Sequence, residues 1–198
     1  MYLTEANARS KGANTSDPQV DLLTQMILLI GNATLDLRER YDIFLSHSIR
    51  DAGLVLGVKR ILEEAGKTVY VDWVEDPNLD RGKVSAQTAE KIRQRMRKSD
   101  ACFYLYSRHS RSSKWMPWEL GFFDGMNGNV AVLPLLSPSG ELDFSGQEYL
   151  ELYPKVDVIN LAEKPILYVN KAVRTETASV FKSYDLWRTD LDKLRPHA

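Results

Sequence analysis

The sequence predicts an α/β fold: a central parallel sheet with helices on both faces, preceded by a short helical N-terminal extension. Two features point there. Apolar, β-branched and aromatic runs alternate with stretches of helical periodicity, joined by short connections. The strand-like runs are themselves almost continuously apolar, as strands buried on both faces are.

Residues 1–16 are polar, carry few large apolar side chains and read as mobile. Asp17-Pro18 has the form of an N-cap followed by proline at the first helical position, and Val20, Leu23, Ile27 and Ile30 follow at helical spacing before Gly31. Residues 1–39 are therefore expected to be an extension, partly mobile with one helix, and residues 40–198 the main domain. Tyr41 to Ser46 reads as the first strand. Ser48-Ile49-Arg50-Asp51 has capping-box spacing, and Leu54, Val58, Ile61 and Ala65 form a helical stripe that Gly66 ends. Thr68 to Trp73 reads as a second strand, followed by a loop from Val74 to Val84. Ser85 is placed to cap a helix running to Lys98, with Ala89, Ile92 and Met96 on one face. Ala101 to Tyr106 is the third strand and Ser107 to Ser113 a polar loop. Pro117 is tolerated only in a first turn, so the next helix starts near Lys114 to Met116 and ends near Gly125 or Gly128. Val130 to Leu135 is the fourth strand. Beyond it, Gln147 to Tyr153 reads as a short helix, with strands at Val156 to Ile159 and Ile166 to Val169. A last helix spans Thr177 to Leu194, with a stripe of Val180, Tyr184, Trp187, Leu191 and Leu194.

A chain of 198 residues supports one domain with a small appendage, and 43% apolar with 27% charged residues is ordinary for a globular protein. A formal net charge of −1 argues against nucleic acid or anionic membrane as a partner. The single cysteine, Cys102, sits in an apolar run, which suits a reducing compartment and makes it a poor nucleophile. His47, His109 and His197 are too scattered for a structural zinc site. The start lacks the apolar core of a secretory signal, and Leu22 to Ile30 falls short of the roughly 20 residues that span a bilayer. A cytoplasmic location is expected. No phosphate-cradling or dinucleotide glycine motif is present. The basic run Lys91, Arg93, Arg95, Arg97 and Lys98 reads as a solvated helix face.

Ligands of such sheets bind outside the carboxyl ends of the strands. Three segments of that edge carry chemistry-bearing residues. Ser46-His47-Ser48 leaves the first strand and enters a helix N-terminus, a place suited to a diphosphate, although Ser48 also reads as a plain cap. Trp73 can stack on a flat ring or fill the core. Arg81 and Lys83 lie in a charged stretch suited to a lid, a protein contact or plain solvation. In Ser112-Ser113-Lys114-Trp115-Met116-Pro117-Trp118-Glu119, Glu119 falls in or just past the first helical turn, where the helix dipole favours its ionised form. A carboxylate beside two tryptophans at a ligand edge suggests chemistry; a first-turn glutamate is also a common cap.

These residues carry a family resemblance. Tyr41-Asp42-Ile43-Phe44-Leu45-Ser46-His47 resembles the first strand of Toll/interleukin-1 receptor (TIR) domains, and the loop after Trp73 corresponds to their BB loop. The Ser112, Trp115 and Glu119 spacing resembles the S-x-x-W-x-x-x-E pattern of NAD-cleaving members. The likeness covers residues 40–136 well, residues 140–198 loosely and residues 1–39 not at all. It implies a flavodoxin-like TIR fold and an NAD glycohydrolase or ADP-ribosyl cyclase, with NAD as substrate and no separate cofactor or metal. It implies Glu119 as the catalytic residue. Ser46, His47, Ser48, Trp73, Arg81, Lys83, Ser112 and Trp115 become the expected substrate-binding set. His47-Ser48-Ile49 stands where some animal members have arginines, so the diphosphate contacts depart from that pattern. The chain further resembles the stand-alone bacterial TIR proteins of Thoeris antiphage defence. That implies a cyclic ADP-ribose isomer as messenger, a separate effector reached through it, and self-association through the BB loop. The competing expectations are a non-catalytic TIR adaptor and a nucleoside deoxyribosyltransferase on a similar sheet.

Overall fold

The computed structural model describes residues 2–12, 40–76, 79, 84–136, 144–161, 164–171 and 180–190. The helix expected from Asp17 to Ile30, Arg81 and Lys83 of the charged loop, and Leu191 and Leu194 of the last stripe lie outside these residues.

In chain order the elements are β1 (Leu3–Thr4), α1 (Glu5–Gly12), β2 (Tyr41–Ser46), α2 (Ala52–Glu64), β3 (Val69–Tyr70), α3 (Asp72–Glu75), α4 (Ala86–Arg97) and β4 (Ser99–Tyr106). They continue with α5 (Met116–Met126), β5 (Val130–Leu136), β6 (Lys155–Leu161), β7 (Lys164–Lys171), β8 (Val180–Ser183) and α6 (Tyr184–Thr189). Short 3₁₀ turns occupy Ile49–Asp51, Ser110–Ser112 and Glu148–Leu152. The described strands form one sheet in the order β3-β2-β4-β5-β6-β7-β8, with β1 beside β5. Neighbours from β3 to β6 run parallel, whereas β6, β7 and β8 pair antiparallel. The fold is thus the expected α/β layering with an antiparallel flank. Short hairpin connections do not require the crossover helices that parallel strands need.

Side chains alternate across the sheet and divide the core in two. On one face Ile43, Leu45, Ala101, Phe103 and Leu105 pack against Leu54, Val58 and Leu62 of α2 and Trp187 of α6. On the other, Phe44, Cys102, Tyr104 and Val132 pack against Ile92 and Met96 of α4 and Met116, Leu120 and Phe123 of α5. Both groups are almost wholly excluded from solvent. No helix among the described residues is long and apolar enough to cross a membrane.

Four expectations need correction. The start of the chain is not loose over residues 2–12. Leu3 and Thr4 pair with Leu135 and Leu136, and α1 lies against α2. Ala8 is fully buried there, so a single small residue anchors an otherwise polar helix. The second strand is shorter than its β-rich composition suggests. After Val71 the chain turns helical, because tertiary bonds hold it: Asp76 takes a two-pronged contact from Arg95 (2.7 and 2.8 Å) and the Tyr70 hydroxyl (2.8 Å). Burial pushes the Asp76 carboxyl up, but Arg95, Tyr70 and Lys91 outweigh it and hold it below the usual range. For the same reason Arg95 is buried and does not belong to a solvated basic face. Finally, Val180–Ser183 is a strand paired with β7, and the last described helix is confined to Tyr184–Thr189. Val180 and Phe181 favour the pleated edge, while Tyr184 and Trp187 keep the helical contact predicted for them.

The α1–α2 contact depends on Gly57. A methyl group there would sit 1.8 Å from the Ala8 carbonyl oxygen. Gly57→Ala gains about 1 kcal/mol of helix propensity, yet a backbone clash costs about 1–3 kcal/mol, so the clash wins. The expected outcome is release of α1, seen as faster proteolysis within residues 5–12 and a lower melting temperature. A variant at least as resistant as the parent would overturn the packing described.

Candidate active site

The carboxyl end of β2 builds the centre of the site. Ser46 is the last strand residue and shares its face with Phe44. Its hydroxyl donates to Glu119 Oε2 at 2.6 Å, and neither residue has measurable solvent exposure. Glu119 arrives from α5. Pro117 lies in the first turn of that helix, and the Glu119 amide already bonds the Trp115 carbonyl at 2.8 Å. The carboxylate therefore stands near the positive end of the helix dipole, against the end of the sheet. Cys102 lies behind it: burial raises the thiol well above its ordinary value, and the Glu119 charge raises it further.

Trp115 precedes the helix, is 8% exposed and meets Trp118 edge to face at 5.5 Å between ring centres. Trp115 is the N-cap of α5 and makes no side-chain cap bond; just before it, the Ser113 hydroxyl accepts from the Met116 amide at 3.3 Å. Ser112 is exposed and spends its hydroxyl on the His109 carbonyl (2.9 Å), so it does not join Ser46 and Glu119.

His47 and Trp73 occupy the opposite side of the sheet edge, where Trp73 packs on the α2 face of the core. The Trp73 indole donates to His47 Nε2 at 3.0 Å. An indole N–H can only donate, so Nε2 accepts and the proton sits on Nδ1, which donates to the Leu45 carbonyl at 2.8 Å. Asp72 Oδ1 lies 3.2 Å from the same Nε2, a contact that becomes attractive if the ring takes a second proton. Trp73 thus sits in a helical turn and not at the end of a strand, and its ring is partly buried. Ser48 is buried and caps the turn after β2, accepting from the Arg50 amide at 3.4 Å.

Several polar residues at this edge were not singled out by the sequence reading. Asp51, expected in a capping box with Ser48, turns instead to Ser107 and His109 of the loop after β4. Tyr104, paired in register with Ser46, accepts from Gln147 at 2.6 Å, and Gln147 also receives the Ser110 hydroxyl at 3.0 Å. Only Ser107 carried a signal in the sequence, as a polar residue directly following an apolar strand. Among the described residues, no group of three or more His, Cys, Asp or Glu is arranged to hold a metal ion.

Comparison with known proteins identifies the family. The TIR domain profile matches residues 43–163. "Probable 3' cyclic ADP-D-ribose synthase ThsB'" of Bacillus cereus (strain MSX-D12) is 49% identical over 134 residues, covering 66% of this chain and 69% of that protein. "Putative cyclic ADP-D-ribose synthase TIR2" of Cytobacillus dafuensis is 28% identical over 83 residues, covering 41% of this chain but 22% of that longer protein. With that profile matching well over half of the chain, and a relative 49% identical, the chain belongs to the TIR domain family.

Proposed function

We propose that this protein cleaves the nicotinamide–ribose bond of NAD and closes the remaining ADP-ribosyl group into a cyclic isomer that serves as an antiphage messenger. The observation that carries the reading is the buried Ser46–Glu119 pair at the ligand edge of the sheet. The names of the two relatives support the same chemistry.

The nicotinamide ring of NAD is already cationic and leaves as a neutral molecule, so its departure needs no general acid. The obstacle is positive charge building on the ribose. As a carboxylate withdrawn from water, Glu119 stabilises that charge more strongly than an exposed one does. The bond from Ser46 aims one of its oxygens. Glu119 has no exposed atom, so substrate reaches it only after the surrounding side chains rearrange. Trp115 and Trp73 stand on opposite sides of the sheet edge, which suits them to separate ends of the dinucleotide rather than to one ring. His47, Ser48, Ser112, Arg81 and Lys83 are assigned to the diphosphate and riboses. TIR domains associate with one another, and we assign that contact to the BB loop after Trp73. The nucleotide product, and not a direct contact, is what reaches a separate effector.

The complete burial of Glu119 is also what a non-catalytic adaptor would show. The two readings differ in one measurement. Glu119→Gln keeps the shape and removes the charge. Nicotinamide release by concentrated protein, followed by chromatography and mass spectrometry, is expected to fall at least about 10²-fold while the fold survives. A variant retaining most of its turnover rejects the assignment of Glu119. A parent protein that leaves NAD intact in the presence of its physiological trigger supports the adaptor.

Ser46→Ala tests the partner. It leaves a buried acceptor without its donor, at a cost of about 1–3 kcal/mol in stability. Turnover is expected to drop, but by less than for Glu119→Gln, because the charge remains. Equal loss in both variants would mean that Ser46 does more than orient the carboxylate.

A further inference from the structure

Asp51 and His109 form a second polar cluster at this edge, one that cleavage does not require. Asp51 is 3% exposed. It accepts from the Ser107 hydroxyl at 2.5 Å, and its other oxygen lies 2.6 Å from His109 Nδ1. An ionised carboxylate only accepts, so Nδ1 carries the proton and donates. In the neutral ring Nε2 is then the basic nitrogen. The His109 side chain is 29% exposed against 2% for Asp51, so a buried carboxylate backs a ring that reaches the surface. An imidazole held in one tautomer by a buried acceptor presents its other nitrogen to accept a hydrogen bond from a substrate hydroxyl.

Its place in the fold matters as much. Asp51 follows Ser46 by five residues in the segment leaving β2, and Ser107 follows β4 directly. β2 and β4 are neighbours, with Ser46 opposite Tyr104. The pair therefore links the two loops that rise from either side of Ser46. It stands at the start of α2, which packs on the side of the sheet that holds His47 and Trp73, whereas Glu119 comes from α5 on the other. Ring closure brings the two ends of the dinucleotide together at this edge: one gains positive charge, and the other supplies a hydroxyl whose proton needs an acceptor.

We infer that His109, held by Asp51, is the general base for ring closure. This rests on the cleavage reading above. As the bond from the ribosyl carbon to the nicotinamide nitrogen breaks, nicotinamide leaves with the electron pair. A ribose hydroxyl of the adenosine half then forms the new carbon–oxygen bond, and its proton passes to His109 Nε2, from which water removes it. Capture by a hydroxyl has a proton to shed, whereas capture by a ring nitrogen lone pair does not; a positioned base therefore favours the oxygen-linked product. Without the base, water competes and linear ADP-ribose results.

The test is product partition, read within each sample. The full chain and its His109→Gln, His109→Ala and Asp51→Asn variants are incubated at high concentration with NAD, and nicotinamide, cyclic and linear ADP-ribose are quantified. The cyclic fraction is expected to fall about tenfold or more in the histidine variants, with linear product rising in its place and nicotinamide release falling less than the fraction does. Asp51→Asn shifts the fraction the same way, and added imidazole restores part of it in His109→Ala. Because only folded molecules release nicotinamide, the fraction is independent of how much protein survives. If cyclic product and nicotinamide decline together at a constant fraction, or if both are lost altogether, His109 is a loop clamp and the inference falls. An unchanged fraction overturns it too. A parent protein that makes only linear product overturns this step and leaves the cleavage reading standing; one that releases no nicotinamide removes both.

Discussion

Glu119 is a carboxylate withdrawn from water, and the rest of the site is arranged around keeping it there. An ionised group so placed is costly unless it is hydrogen-bonded. Ser46 supplies such a bond from the end of β2, and the first turn of α5 supplies a favourable dipole. The two contributions come from elements far apart in sequence, so the bond also fixes how α5 sits on the sheet. Pro117 limits where that helix can begin, and the Ser113 hydroxyl takes up the amide of its first residue, Met116. A shift of one residue in that start would rotate Glu119 by about 100° and carry it off the sheet.

The edge of the sheet has two sides with different chemistry. Toward α5 stand Ser46, Glu119, Trp115 and the phenol of Tyr104; toward α2 stand His47, Trp73 and the start of the helix that Asp51 precedes. Strand alternation enforces the split, since consecutive residues Ser46 and His47 must leave β2 in opposite directions. Loops then reconnect the sides, with Asp51 bonded to Ser107 and His109, and Ser110 bonded to Gln147. A dinucleotide is a two-headed ligand, and a site with two unlike sides matches it.

The first described residues of the chain add to the sheet and to its α2 side. β1 lies beside the carboxyl end of β5, at Leu135 and Leu136, so it extends the sheet at its ligand edge. It also covers backbone groups that β6, paired to β5 only at Val132, leaves behind. The price of so short a strand is dependence on α1, whose close approach to α2 relies on Gly57.

Local chemistry was enough to place the frame. Tyr41 to Ser46, the cap at Ser85, the glycine after α2 and the proline-limited start of α5 each follow from steric or hydrogen-bonding rules acting within a few residues, and together they put Glu119 near the carboxyl end of the sheet. What depended on partners distant in sequence was not legible. Asp51 looked like a cap to Ser48 until His109, 58 residues away, claimed it. The second strand gave way to a helical turn because Arg95 and Tyr70 hold Asp76. The polar N-terminal helix was ordered by one buried alanine and a glycine on another element. The union of Ser46 with Glu119, and the separation of Trp73 from Trp115, were likewise decided by the folded sheet. Sequence carries the periods and stop signals that make elements; which side chains meet depends on how those elements cross, and that is a property of the packed molecule.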